Sequence, residues 1–341
     1  MRHLRGRPQP RTYGTDPVGA PLNPVAAGEP TAADRREGGT WSPAQEVKNA
    51  LVYALASASI AVLALLPPAV LRALGGAVGT VAYLAFGNAR RTAHANVARA
   101  LADWPASSRV ALVRACFRRL GRHLGDTVAL LGGARFAPLE IEPAAIAVLE
   151  AARSEGRGVF FVSAHLGPWE RVAGSLVAAG FPLTTVARQA YDPRLTGLYD
   201  ALRGSLGVRV VYRGAPGAPA RLLRTLKEGR LLGMPMDLRS RVPSIEATFL
   251  GHPAATAVGP ARIALRTGAP VVGGTVAPGA MGARARALVI SATRIDTHDL
   301  ARTVEGELVL TRRMNQELSL RILALPEEWV WMHPRWPDRV V

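Results

Sequence analysis

The run Gly158-Val-Phe-Phe-Val-Ser-Ala-His165-Leu-Gly-Pro-Trp-Glu170 holds the residues of this chain best suited to proton transfer. Val159 to Val162 are β-branched or aromatic and read as a buried strand, which delivers His165 at its end. Gly167 and Pro168 then break the strand, and Pro168 suits the first position of a new helix. Glu170 falls in that helix's first turn, where negative charge is favoured. A carboxylate five residues beyond a strand-end histidine can accept a hydrogen bond from one imidazole nitrogen. The other nitrogen is then free to take a proton from a hydroxyl. A plainer reading stands beside this one, in which the histidine only caps the helix.

Such a pair needs buried strands to hold it. From about residue 155 the hydrophobic pattern alternates between periods of two and of three to four. Strands are expected at 158–164, 183–187, 208–212, 231–236, 270–276 and 285–291, and helices at 169–179, 193–205, 217–228, 257–267 and 303–325. That alternation implies an α/β fold with a mixed, largely parallel central sheet flanked by helices. Ligand sites in such sheets gather beyond the carboxyl ends of strands. His165, Arg188 and Asp237 all fall just past such ends, which points to one site.

The chain has 341 residues, 49% of them hydrophobic, yet carries a net charge of +17. Apolar and strongly basic character together suit a protein resting on an anionic membrane or handling acidic partners. Nucleic acid is the competing partner, but aromatics are only 6% and no zinc-finger, RNP or helix-turn-helix pattern appears. Lys48 and Lys227 are the only lysines, so the charge is almost all arginine. Arginine suits phosphate forks, and arginine richness also follows from an Ala/Arg/Gly/Pro-biased composition. The single cysteine, Cys116, lies in an amphipathic helical pattern and reads as a small core residue. The seven histidines show no close metal-binding spacing, so no metal site is expected.

Three regions are expected. Residues 1–43 are rich in Pro, Gly, Arg and Thr and read as a disordered basic tail. Residues 44–87 read as apolar membrane-anchoring or interfacial helices: Ala50 to Leu66 carries no charge, Pro67-Pro68 ends it, and Ala69 to Gly87 carries only Arg72. A spanning anchor, a hairpin in the membrane interface and a buried core helix all fit, with membrane attachment favoured. Residues 88–341 form the remaining domain. Within it, 107–131 reads as a surface helix with an apolar stripe of Val113, Phe117, Leu120, Leu124 and Val128. Arg114, Arg118 and Arg122 line another side, either as a solvated basic face or as a contact for lipid phosphates or an acidic carrier protein.

The chain has no G-x-S-x-G elbow, no P-loop and no G-x-G-x-x-G after a strand, so serine hydrolysis and nucleotide binding lack support. A histidine/carboxylate pair without a protein nucleophile suits direct transfer to a substrate hydroxyl. Histidine, four residues and an acid after an apolar strand resembles the signature of glycerolipid-type acyltransferases. His165-Leu-Gly-Pro-Trp-Glu170 is similar to that of the lauroyl/myristoyl acyltransferases of lipid A biosynthesis. Further blocks carry the same resemblance in order: Arg90-Arg91-Thr-Ala-His-Ala-Asn96, Gly233-Met-Pro-Met-Asp237, Phe249 to Thr256 with Gly259 to Val271, and Trp329-Val-Trp-Met-His-Pro-Arg-Trp336. Together they cover about residues 50 to 338.

The resemblance implies acyl transfer from a thioester, on acyl carrier protein or coenzyme A, to a hydroxyl of a membrane (glyco)lipid such as a lipid A precursor; a lysophospholipid or phosphoglycolipid is the alternative acceptor, and a noncatalytic basic membrane-binding protein that retains the fold is the rival reading. His165 would be the general base and Glu170 its orienter. Arg188 would help hold the thioester carbonyl or the donor, where charge develops. Asp237, Arg239, Arg241, Gly251 and Arg262 would lie on the substrate side, with the three arginines as candidates for acceptor phosphates. Surface arginine is the plainer alternative for each, and orientation of Arg188 or strand capping are the alternatives for Asp237. The resemblance implies no cofactor and no nucleic acid. It implies a bacterial inner membrane location with the catalytic domain facing the cytoplasm, against an anionic surface. Departures from the family pattern bear on the acceptor: Asp192 stands where asparagine is common, His333-Pro334-Arg335 where an arginine pair is common, and Arg239 and Arg241 where acidic residues or glutamine are common. Phe249–Thr256 is expected as a loop, with His252 shaping it. Trp329, Trp331 and Trp336 are expected to close the domain, and His333 to be structural.

Overall fold

The computed structural model describes residues 39–239, 242–279 and 287–336. Most of the expected tail, Arg241 and the first part of the strand expected at 285–291 lie outside those residues. The elements in chain order are α1 (Pro43–Leu63), α2 (Pro68–Ala85), α3 (Gly87–Ala100), α4 (Ala106–Leu131), α5 (Pro143–Ser154), β1 (Val159–Ser163), α6 (Trp169–Ala178), β2 (Leu183–Ala187), α7 (Pro193–Ser205), β3 (Arg209–Tyr212), α8 (Ala218–Lys227) and β4 (Leu231–Pro235). They continue with β5 (Ser244–Phe249), β6 (His252–Ala257), α9 (Gly259–Thr267), β7 (Val271–Pro278), β8 (Leu288–Ile295), α10 (Val304–Ala324) and a short 3₁₀ turn at Pro326–Glu328.

Six strands form the central sheet in the order β3-β2-β4-β1-β7-β8. All neighbours are parallel except β7 and β8. The expected mixed, largely parallel sheet with flanking helices is the architecture. β1 is buried along Val159–Val162, as its continuous apolar run requires of a central strand covered on both faces. Its register with β4 pairs Ser163 with Pro235, and the Met236 N–H donates to the Ser163 carbonyl at 3.0 Å. His165 and Asp237 each lie two residues past that pair, so the register alone sets them side by side.

The stretch expected as a loop at Phe249–Thr256 is instead the antiparallel hairpin β5–β6. Its turn, Leu250 (φ 48°) and Gly251 (φ 80°), takes the left-handed backbone that two-residue hairpin loops need. The sequence Leu-Gly is a weak form of that signal, and two prolines nearby obscure the alternation. Gly251 is thus an exposed turn-former beside the buried Leu250. Arg335, fully buried, ties the hairpin down: it donates to the Ala255 carbonyl at 2.6 Å and to Thr256 Oγ1 at 2.8 Å, over the Phe249 ring.

Of the two N-terminal helices, α2 attaches through backbone contact. Ser42 caps α1 in a reciprocal capping box with Gln45, and Trp41 is buried, so the region boundary expected at residue 43 falls just inside the cap. α1 has no buried residue. α2 runs antiparallel to α4, with Gly75 and Gly79 set against Gly121 and Gly125. A Cβ at Gly75 would stand 2.1 Å from the Gly121 oxygen, and one at Gly125 would stand 2.3 Å from the Leu71 oxygen. Small residues four apart on both helices let the backbones touch, the arrangement favoured where apolar burial cannot drive association. Arg72, the one charge in the apolar stretch, meets the buried Asp126 of α4 at 2.8 Å. α4 is therefore a bridging helix. The expected stripe is only partly its buried face: Val113 and Phe117 are buried, but Leu124 is 54% exposed. A count of hydrophobic side chains cannot see a contact made by glycine.

Gly121→Leu should force α2 and α4 apart at a cost of roughly 1–3 kcal/mol or more, from overpacking. Gly197→Ala, within α7 and with open space around it, should be neutral or stabilise by up to about 1 kcal/mol. Thermal unfolding of the detergent-solubilised proteins compares them. Equal midpoints would remove the glycine seam as a structural requirement.

Candidate active site

His165 leaves β1 through Ser163-Ala164 into a tight turn. Gly167 (φ 66°) makes that turn, and its N–H donates to the Glu328 carbonyl at 3.0 Å. A Cβ there would meet Val276 Cγ2 at 2.7 Å, so both backbone angle and space demand glycine. The expected strand–turn–helix around the histidine is what the structure shows, with α6 beginning at Trp169, one residue past Pro168. The indole of Trp169 stands edge-on to the imidazole, centroids 5.3 Å apart.

The partner of the imidazole is Asp237. Its Oδ1 lies 3.0 Å from His165 Nδ1, and its Oδ2 accepts the His165 backbone N–H at 2.9 Å. The Trp329 indole N–H donates to the same Oδ2 at 2.8 Å. Asp237 and Trp329 are both fully buried. Burial opposes charge on Asp237, but the His165 charge and these hydrogen bonds outweigh it and hold the carboxyl below the usual carboxylate value. Burial likewise opposes charge on His165. The Asp237 charge and hydrogen bond, with Glu170 beyond, outweigh that and raise the imidazole above its ordinary value, while Arg203 pulls the other way. An ionised Asp237 on Nδ1 fixes the tautomer that leaves Nε2 able to accept a proton.

Glu170 does not orient the imidazole by hydrogen bond, which corrects the expectation drawn from the spacing. It is buried in the first turn of α6 and held in a fork by Arg203 of α7, at 2.7 and 3.1 Å. Helix geometry explains the difference: α6 turns the glutamate toward α7, while the sheet brings Asp237 to the histidine from the neighbouring strand. Arg203 was not legible in the sequence, because no local pattern links it to a residue 33 positions earlier. Burial opposes its charge, but the Glu170 fork more than compensates, raising the guanidinium. Its charge acts on His165.

His165 and Arg203 line a cavity of about 1410 Å³ at the carboxyl edge of the sheet. Arg188, Arg213, Arg239, Arg262 and His333 line it too, with apolar walls from Val186, Leu222, Met234, Met236 and Ile263. Of the candidate substrate residues, Arg262 reaches the cavity but forks onto Glu307 of α10, both contacts at 2.8 Å. Arg239 is exposed at the edge, and Gly251 is not in the lining. Asp192 caps α7 through the Arg194 N–H at 2.9 Å. Burial lowers the His333 pKa, and its Nδ1 is buried without a hydrogen-bond partner. Cys116 donates to the Trp329 carbonyl at 2.9 Å, and burial pushes its thiol up to about 12, as expected of a core residue. Among the described residues no cluster suited to a metal ion is present.

A strand-end histidine is thus steadied by a buried carboxylate, stands near a cation held by a second acid, and lines a large cavity with apolar walls. Two helices, Pro43–Leu63 and Pro68–Ala85, are long and apolar enough to cross a membrane. Over residues 44–338 the chain matches the family of bacterial lipid A biosynthesis acyltransferases, and it belongs to that family. It is also similar to the phosphatidylinositol mannoside acyltransferases of Mycobacterium tuberculosis strains CDC 1551 / Oshkosh and ATCC 25618 / H37Rv. Each is 26% identical over 193 residues, 55% of this chain and 57% of the relative. The match thus spans little more than half the length of those relatives.

Asp237→Asn removes the charge that favours the imidazolium, so the His165 pKa should fall. The acid limb of the rate against pH, expected above the ~6.5 of a free imidazole, should move to lower pH. The plateau should drop on the order of 10²–10⁴-fold. An unmoved acid limb would show that another group titrates.

Proposed function

We propose that this protein transfers a fatty acyl chain from a thioester, on acyl carrier protein or coenzyme A, to a hydroxyl of a membrane glycolipid. The observation that carries the reading is the Asp237–His165 pair at the mouth of the cavity. Nε2 of His165 takes the proton of the acceptor hydroxyl as that oxygen attacks the thioester carbonyl. The imidazolium formed is stabilised by Asp237. Arg203, held by Glu170, stabilises the developing oxyanion. Collapse of the intermediate expels the thiolate, which takes up the proton from the imidazolium. The products are an ester and a free thiol. Family membership supports lipid acyl transfer, and the name of the mycobacterial relatives supports a phosphate-bearing glycolipid acceptor.

The exposed face of α2 carries Val70, Leu74, Val78, Val81 and Leu84, while its glycine face lies on α4. Apolar on one side and docked on the other, α2 suits the membrane interface. α1 exposes Leu51, Val52, Leu55 and Val62 and suits insertion. Exposed Arg114, Arg118 and Arg122 suit an anionic lipid surface or an acidic carrier protein. A carrier-bound or coenzyme A donor suits a site on the cytoplasmic side of a bacterial inner membrane.

The test incubates purified protein in detergent with acyl-CoA or acyl carrier protein thioester and a membrane lipid extract. Mass spectrometry should find a lipid heavier by one acyl chain. His165→Ala should lower its formation roughly 10²–10⁴-fold while staying folded. Near-wild-type turnover in that variant would overturn the mechanism. Glu170→Gln should lower kcat more than it moves the acid limb, since its carboxylate acts chiefly through Arg203.

A further inference from the structure

The cavity is lined by five arginines and two histidines, and no aspartate or glutamate appears among its described lining residues. Two of the arginines have their charge met by carboxylates from behind the wall, Arg203 by Glu170 and Arg262 by Glu307. Arg188 and Arg213 stand together at the edge of the sheet. β2 and β3 pair Ala187 with Tyr212, so these arginines are the next residue on each of two adjacent strand ends. The Arg213 N–H donates to the Ala187 carbonyl at 2.9 Å, which locks the two backbones together just past the sheet. Both residues line the cavity. Burial and then the Arg188 charge lower the Arg213 pKa, as expected of two cations facing the same space. Guanidinium pairs on a rigid sheet edge match the fork geometry of phosphate oxygens.

We infer that Arg188 and Arg213 form a phosphate-binding site of the substrate, set laterally from the reacting centre. The inference rests on the acyl-transfer reading above. In the order β1-β4-β2-β3, neighbouring strands are ~4.8 Å apart, so the two arginines leave the sheet roughly 10 and 14 Å from the strand that bears His165. The phosphate therefore belongs to a part of the substrate well removed from the thioester carbonyl. Two sources have that form. One is the phosphate at the end of a pantetheine arm, in coenzyme A or on a carrier protein. The other is the phosphate of a glycolipid headgroup, separated by sugar from the accepting hydroxyl. On this reading Arg188 binds substrate and does not touch the reacting carbonyl.

The experiment compares the full-length wild type with Arg213→Gln and Arg188→Gln in detergent. The donor is acyl-CoA or phosphate-free acyl-pantetheine, and the acceptor is a phosphoglycolipid or a neutral alkyl glycoside. Each variant should raise KM on the order of tenfold or more for the phosphate-bearing form of one substrate, with kcat nearly unchanged and its phosphate-free counterpart unaffected. A shift confined to acyl-CoA identifies the pantetheine phosphate, and a shift confined to the phosphoglycolipid identifies the headgroup. Unchanged KM values, or equal changes with and without phosphate, overturn the site. If the wild type transfers no acyl chain in any combination, the acyl-transfer reading fails. The site is then judged with inorganic phosphate alone, which should shield Arg213 from phenylglyoxal modification read by mass spectrometry. Absence of shielding overturns it.

Discussion

One buried carboxylate organises this site. Asp237 gathers the backbone N–H and the imidazole of His165 and the indole N–H of Trp329. An isolated carboxylate so deeply buried would carry a desolvation cost of several kcal/mol. Three donors offset it, one of them the imidazole that also supplies the opposing charge, and in doing so they fix where each donor must be. The imidazole cannot rotate without stripping Asp237 of one contact, the strand end cannot shift without stripping it of a second, and the C-terminal segment cannot lift without stripping it of a third. The site is therefore preorganised by the same interactions that make the buried charge tolerable.

The C-terminal segment is held just as firmly from its other side. Asn96 of α3 donates to the carbonyls of Trp331 and His333, at 2.8 and 2.7 Å. Cys116 of α4 bonds the Trp329 carbonyl, and Glu328 meets His123 and Arg119 of α4 at 2.6 and 3.3 Å. The Glu328 carbonyl in turn accepts the N–H of Gly167, in the turn that aims His165. α4 thus touches the turn that carries His165 through one segment and α2 through the glycine seam. The helix suited to a membrane surface and the base suited to chemistry are joined by a short run of buried polar contacts. Movement of α2 or α4 would therefore be felt at the turn that carries His165.

Much of the scaffold was legible in the sequence. β1 to β4 and α6 to α8 fall within a residue or two of their expected bounds, because short apolar runs and three-to-four spacing report local structure directly. The hairpin β5–β6 was missed, since Pro253 and a run of alanines hide its alternation. β7 and β8 run a few residues beyond expectation at their carboxyl ends, where antiparallel pairing extends them. His165, Arg188 and Asp237 were recognisable as a group because strand ends in a parallel sheet share one edge.

The sequence by itself determined the alternation of strand and helix, the strand-end histidine, the glycine turn after it and the apolar helices at the amino end. All of these are written in residues close to one another. Only the tertiary structure decided which carboxylate serves His165. Asp237 lies 72 positions away and reaches the histidine because β4 packs beside β1, whereas Glu170, five positions away, turns with its helix toward Arg203. Strand order and helix rotation are set by how buried faces pack, and one chain's local pattern does not encode which distant faces will meet. The α2–α4 seam has the same cause in another form: glycine contributes nothing to a hydrophobic pattern, and its value appears only when a second backbone arrives against it.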